Sequence, residues 1–587
     1  MDLAAAVRHR LVPTPPTVLE LDLSQGLLSV PATGPREVLR SLHTPTMQAI
    51  RTGLRKAGDD PEVAGLVVHT GTCQASAAQL DELGELIAAF GERKPTLAWS
   101  ETFGELTNDL FAHRLASHCH QIWLGPSGML GSQGVDLTVT LLRGSLDKVG
   151  VEPQFGQRHE YKSAADQFVA TEVSDANREM MQRIADSLLD ESVERIARRR
   201  ALEPEAVRAE IDRAPLTAEQ AVAAGLVDRI GYRDQVYDWV SENWGAVLEP
   251  RPWQSAEGRD DGPRVHLQYV HRYAKDQFGA VASGLTRRNR PAIGVVAVQG
   301  GIVSGTGRRG PLQDPQAGSD AVTAQLRTVR RDDKVKAVIL RVDSPGGSYV
   351  ASDSIRREVV RLREAGIPVV ASMGGVAASG GYFVSMGADE IVVNPSTLTG
   401  SIGVLAGKLV TSGLTDKVGL VRESMSAGDN ATMFSTLAPF TERHWEVLNT
   451  WLDAVYRDFT TKAAADRGLD LTVLEPLARG RVWTGADAVR HRLADHLGGV
   501  DLAIERACAL AEVDRDDATL KAAAAGPWWT QLRPAESSES RHAESRVGVE
   551  NVIASAGGIE GLWRAAATAA GLAPTGVLSL PYRFDIG

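Results

Sequence analysis

Val338-Ile339-Leu340-Arg341-Val342-Asp343-Ser344-Pro345-Gly346-Gly347 is a short apolar run that stops at a Pro-Gly-Gly turn. A run of this length, rich in β-branched residues and bounded by turn formers, predicts a buried strand, Val338–Val342. Adjacent glycines let backbone N–H groups come close to a ligand and point inward, although a plain strand-to-helix turn would use the same residues. Upstream, Ile293–Val298 predicts an opening strand followed by a helix. Downstream, an amphipathic helix leads to a further strand at Val369–Ser372, a short helix, another strand and a long helical tail. Apolar runs that alternate with helical periodicity predict βαβ units and a largely parallel sheet, an α/β fold.

The same pattern occurs earlier in the chain. Ala64-Gly65-Leu66-Val67-Val68 matches Lys336-Ala337-Val338-Ile339-Leu340, and Asp147-Lys148-Val149-Gly150-Val151 returns as Asp416-Lys417-Val418-Gly419-Leu420. Gly131-Ser132-Gln133-Gly134-Val135 returns as Gly400-Ser401-Ile402-Gly403-Val404, and Leu216–Asp228 as Trp483–Asp495. A constant offset of roughly 270 residues is the signature of an internal duplication. The first half accordingly carries strands at Val18–Leu23, Leu66–His69 and Thr96–Trp99. The predicted domains are 10–248 and 291–512. They are separated by a linker over 249–290 with a helical patch at Val265–Ala282, and followed by a polar linker and tail over 523–587. Within that tail, 523–548 has the composition of a disordered segment.

Composition fits this division. The 587 residues are too many for one core, and 43% apolar with 23% charged residues is ordinary for a globular protein. A net charge of −11 argues against a nucleic-acid binder. Cys73, Cys119 and Cys508 are too sparse for a disulfide framework. Cys119 lies among His113, His118 and His120, but without metal-site spacing, and is read as structural. No apolar run reaches about 18 residues, so no transmembrane helix is predicted, and the N-terminus lacks the layout of a signal peptide. The expected location is cytoplasmic, with peripheral membrane association compatible with it.

Two further elements sit beside the Pro-Gly-Gly turn. In Met373-Gly374-Gly375-Val376-Ala377-Ala378-Ser379-Gly380-Gly381-Tyr382, a strand enters a small-residue loop and Ser379 opens a helix. There, N–H groups and the helix dipole favour negative charge, though an N-cap serine would look alike. Asn394-Pro395-Ser396-Thr397-Leu398-Thr399-Gly400-Ser401-Ile402-Gly403 is a hydroxyl-rich turn before a strand.

In this order and spacing, the three elements resemble the signal peptide peptidase A family (protease IV, S49 serine peptidases) of the ClpP/crotonase superfamily. The duplication extends the likeness over roughly residues 10–510, as in the long, two-domain form. The resemblance implies two tandem ClpP/crotonase-like domains, Ser379 as nucleophile, and an oxyanion hole from the Gly346/Gly347 turn and the Gly380 N–H. It implies hydrophobic peptide substrates such as cleaved signal peptides, a homo-oligomer (a tetramer), and no metal or nucleotide cofactor.

A serine hydroxyl needs a base. No lysine lies between Lys417 and Lys462 in the second half. The matching stretch of the first half, Arg158-His159-Glu160-Tyr161-Lys162-Ser163-Ala164, resembles the family's Tyr-Lys-Ser segment, which carries the general-base lysine. The first half in turn has Phe103–Asp109 where the second has Met373–Gly380. Each copy has therefore lost one part, and the expected dyad is Lys162 with Ser379. Lys162 must be desolvated to be neutral, and the resemblance gives Ser401 as the hydroxyl that orients its amine. The rival base is His159, oriented by Asp166. Two other functions remain open at this point: a crotonase-like acyl-CoA enzyme, and a non-catalytic scaffold. The chain departs from the family pattern in showing no N-terminal anchor, and in Arg492, which stands where the first half has Gly225.

Overall fold

The computed structural model describes residues 15–28, 44–71, 75–105, 107–247, 262–276, 290–307, 316–522 and 578–579. Contacts divide the chain into two compact units. The first holds Met1–Asp136 and Leu189–Arg288, the second Leu137–Leu188 and Asn289–Ile586. The segment 137–188, grouped with the first half on sequence, thus packs in the second unit.

The first unit is built on a six-stranded sheet. Its order is Arg229–Ile230, Gln121–Leu124, Thr96–Ser100, Val63–His69, Thr17–Asp22 and His266–Tyr269, and every pairing is parallel. The strand His266–Tyr269 corrects the helical patch expected from Val265. Helix begins only at Val270 and is described to Asp276, because the four preceding residues complete the open edge beside Thr17–Asp22.

The second unit repeats that order. His496–Leu497, Glu390–Val393, Val369–Ala378, Val335–Ser344, Ala292–Gln299 and Thr519–Ala522 lie side by side, all parallel. Two tandem copies of one α/β fold follow from these matching sheets. Both faces of the second sheet are covered, as parallel sheets require. On one face Val338, Leu340 and Val342 pack with Ile355, Val359 and Leu362 of the helix Tyr349–Glu364. On the other, Ala337 and Ile339 meet Ala503, Ile504 and Ala507 of the helix Val500–Leu510. Each fully buried Val, Leu or Ile contributes about 1.5–3 kcal/mol.

Val369–Ala378 changes partners along its length, and this places the site. Val370–Met373 pair with Glu390–Val393, whereas Val376–Ala378 pair with Leu398–Gly400. The Asp343 carboxylate stands at the switch and accepts the Val376 N–H at 3.1 Å. A Cβ on Gly374 would lie 2.8 Å from Asp343 Cγ, so glycine is needed where the strand passes that side chain. A small second sheet lies alongside, in the order Gln316–Gly318, Gly301–Val303, Gly346–Gly347 and Leu578–Ser579. The rest of the expected tail, 523–577 and 580–587, lies outside the described residues.

Candidate active site

Ser379 follows the last residue of the strand Val369–Ala378 and precedes the short helix Gly380–Ser385. Its backbone is forced into φ 54°, ψ −111°, a region a non-glycine residue enters only at a cost of about 1–3 kcal/mol. Two main-chain bonds hold it there. Its N–H donates to Gly400 O at 2.8 Å, and its C=O accepts from Phe383 N at 2.8 Å. Small neighbours are obligatory. A Cβ on Gly380 would lie 2.8 Å from Ser352 Oγ and 3.0 Å from both Gly346 Cα and Gly347 N. One on Gly347 would lie 2.1 Å from Ile302 O. The Pro-Gly-Gly turn and the helix start are therefore in backbone contact. Gly380 opens its helix, so its N–H has no acceptor within that helix. The Gly346 N–H donates to Ser344 Oγ at 3.1 Å, so it braces the turn.

Lys162 reaches the same point from the segment 137–188. The strand Glu152–Gln157 pairs antiparallel with Leu405–Val410, and the chain then turns through Glu160 and Tyr161 to Lys162. Lys162 Nζ lies 2.9 Å from Ser379 Oγ, 2.9 Å from Ser401 Oγ and 3.2 Å from Ser401 O. Ser401 is held at φ 50°, with its N–H donating to Arg481 O at 2.7 Å. Lys162, Ser379 and Ser401 are each 0% exposed. Burial alone holds the Lys162 amine down to about 7, against 10.5 for a free lysine.

The turn carrying Lys162 is clamped from both sides. Arg479 pairs with Glu160 at 2.9 Å. Arg481 lies over the Tyr161 ring and pairs with Glu179, which accepts the Tyr161 hydroxyl at 2.8 Å. Between those arginines, Gly480 at φ 85° lies against the Lys162 backbone. A Cβ there would sit 2.5 Å from Lys162 N, Cα and Cβ. The sequence reading missed Gly480. Its only signal was a lone glycine between two arginines.

The rival base lies elsewhere. His159 packs against Tyr456, with ring centroids 4.4 Å apart and planes tilted by 50°, and its Nε2 is 3.8 Å from Glu475 Oε1. Asp166 accepts from Gln157 Nε2 at 3.4 Å, not from His159. Near Cys119, His113 bonds to Leu226 O and Ser132 Oγ, while His118 bonds to Arg114 O. Burial raises the Cys119 thiol to about 12. Among the described residues no group of His, Cys, Asp and Glu could hold a metal ion.

Residues 91–246 and 361–514 match the model of Peptidase family S49, one match in each half. The chain belongs to peptidase family S49. The serine-peptidase class read from the sequence follows from that membership. The S49 relatives include the serine protease SPPA, chloroplastic, of Arabidopsis thaliana, 31% identical over 76% of this chain. This chain spans 63% of that relative's length. Protease 4 of Salmonella typhi is 30% identical over 79% of this chain and 72% of its own length. A putative signal peptide peptidase of Enterococcus faecium is 32% identical over 34% of this chain and 58% of its own length. Among solved structures, a mutant of a membrane-bound stomatin-specific protease aligns with TM-score 0.25 and 15% identity, covering 40% of this chain and 99% of its own. No helix among the described residues is long and apolar enough to cross a membrane.

Proposed function

We propose that this S49 peptidase cleaves hydrophobic peptides through a Ser379–Lys162 dyad. The observation that carries the reading is the 2.9 Å separation of Lys162 Nζ from Ser379 Oγ at a wholly buried amine held near 7. A neutral amine has one lone pair and two N–H bonds. The N–H bonds donate to Ser401 O and Ser401 Oγ, and this leaves the lone pair for the Ser379 proton.

As Ser379 Oγ bonds to the scissile carbonyl carbon, its proton passes to Lys162. The carbonyl π-electrons move to oxygen, and in this reading the Gly380 and Gly347 N–H groups stabilise that oxyanion. Collapse breaks the C–N bond, and Lys162 returns the proton to the leaving amine. The acyl-Ser379 ester is then opened by a water whose proton Lys162 takes and gives back to Ser379 Oγ. A preorganised N–H donor of this kind is worth about 2.7–4 kcal/mol of barrier.

Substrates such as cleaved signal peptides are proposed from the family resemblance and from the printed name of the Enterococcus faecium relative. A homo-oligomer, a tetramer, is proposed on the same resemblance; a cytoplasmic location with peripheral membrane association is proposed from the sequence reading alone. The dyad is tested with a fluorophosphonate probe. Labelling is expected at Ser379, absent in Ser379→Ala and strongly slowed in Lys162→Ala. Labelling that is unchanged in Lys162→Ala would refute it.

A further inference from the structure

The first unit holds a cleft of about 440 Å³, a volume in the range of small-molecule sites. Asp22, His69 and Ser100 line it, and they are the last residues of the parallel strands Thr17–Asp22, Val63–His69 and Thr96–Ser100. Parallel α/β sheets bind their ligands at this end of the strands. The matching strands of the second unit, Val335–Ser344 and Val369–Ala378, lead into the Pro-Gly-Gly turn and Ser379. The cleft thus takes, in the first copy, the place that the nucleophile takes in the second, and it shares no residue with that site.

Its lining is acidic. Glu101, Glu105 and Asp109 follow the third of those strands and join Asp22, and none of the four has an ion-pair partner among the described residues. Burial raises the Asp109 carboxyl to about 6, offset only in part by the Ala112 N–H. Arg233, the cationic side chain in the lining, lies over the Tyr237 ring, 5.7 Å from its centre. His69 adds an acceptor. It is 6% exposed, and its Nε2 lies 2.6 Å from the Tyr237 hydroxyl. That hydroxyl donates its one proton to Glu20, so its oxygen accepts from His69 Nε2–H. A neutral ring then carries its lone pair on Nδ1. That nitrogen has no hydrogen-bond partner among the described residues and is not sealed from solvent. Trp99 spends its N–H on Gly231 O at 3.2 Å, which leaves only its ring for the cleft.

Unpaired carboxylates, an imidazole acceptor and an indole ring suit an ammonium group, which brings N–H donors and a charge that aromatic rings attract. The described residues contain no group of His, Cys, Asp and Glu able to hold a metal ion. We infer that this cleft binds a small organic cation by its primary ammonium group, with Asp109, Glu101 and His69 Nδ1 accepting the N–H bonds and Trp99 packing against the ligand.

The full-length chain is titrated calorimetrically with 1,4-diaminobutane at pH 8, where Asp109 is ionised and the amine is charged. One molecule per chain is expected to bind, with a Kd of about 1 mM or below. Asp109→Asn should weaken binding about tenfold or more. Glu101→Gln, at an exposed position, should weaken it several-fold and carries the test if Asp109→Asn does not fold. The uncharged 1,4-butanediol, of the same length, should not bind. No binding to folded wild type at about 20 mM diamine, affinity unchanged in both variants, or equal binding of the diol would overturn the inference. Calcium chloride that displaces the diamine at equal concentration would overturn it as well, by showing a site for any cation.

Discussion

Replacing Lys162 by methionine should abolish activity and yet stabilise the second unit near neutral pH. Free lysine titrates at 10.5, and burial holds Lys162 at about 7. At 1.36 kcal/mol for each pH unit, that difference is about 5 kcal/mol against folding. Between the two values the unfolded chain binds a proton that the folded chain does not, so stability rises with pH across this window. The penalty is fully present below pH 7. It is about 4 kcal/mol at pH 7 and has fallen to about 1 kcal/mol at pH 10. Methionine fills a similar volume but leaves Ser379 Oγ, Ser401 Oγ and Ser401 O without the amine, a loss of about 1–3 kcal/mol. Lys162→Met is therefore expected to be more stable than wild type by about 1–3 kcal/mol at pH 7, and equal or less stable by up to about 2 kcal/mol at pH 10. The unfolding of the second unit can be followed in urea by pulse alkylation of Cys508, a thiol buried in that unit. A mutant-minus-wild-type difference that does not fall between pH 7 and pH 10 would mean that the folded protein carries a charged Lys162. The base assignment would then fail.

Other expectations follow from the same geometry. The kcat/KM for a peptide whose own groups do not titrate should rise with pH through about 7 and then level, as Lys162 loses its proton. Gly480→Ala would drive a Cβ into the Lys162 backbone at a φ of 85°. It should lower kcat far more than it changes KM and move the pH midpoint upward as the amine regains water. A drop in kcat with an unmoved midpoint would mean that Gly480 acts otherwise. Arg492 occupies φ 61° where Gly225 occupies 72°. Arg492→Gly should raise stability in urea by about 0–1 kcal/mol, the left-handed penalty relieved less the entropy glycine loses, and leave kinetics unchanged.

The parts of the fold that were legible from sequence were those where one residue class has one use. Val338–Val342 and Val369–Ser372 are too apolar and β-branched to be anything but interior strand, and both lie in the parallel sheet. The hydroxyl-rich stretch Asn394–Gly403 was legible as a turn only in part: Gly400 and Ser401 take positive φ, but Leu398–Gly400 pairs as a strand. Lys162 has one local signal, the likeness of Tyr161-Lys162-Ser163 to the family's Tyr-Lys-Ser segment. That likeness singles it out once the duplicate halves are laid side by side and the second is found to lack a lysine there. What stayed hidden depends on tertiary neighbours. The packing of 137–188 in the second unit is set by six main-chain partners between Glu152–Gln157 and Leu405–Val410, which no composition reveals. The strand His266–Tyr269 is four residues long, too short for its period to outweigh the helical pattern after it. The role of Gly480 lies in what its missing Cβ avoids, and that is a property of the Lys162 backbone rather than of its own sequence context.

The most direct test of the account is hydrolysis of a hydrophobic fluorogenic peptide by wild type, Ser379→Ala, Lys162→Ala and His159→Ala, assayed in parallel at pH 8. The dyad predicts loss of activity in the first two variants by several orders of magnitude, with His159→Ala close to wild type because that ring rests on Tyr456. A Lys162→Ala enzyme that still turns over while His159→Ala does not would contradict it, and would make the histidine the base.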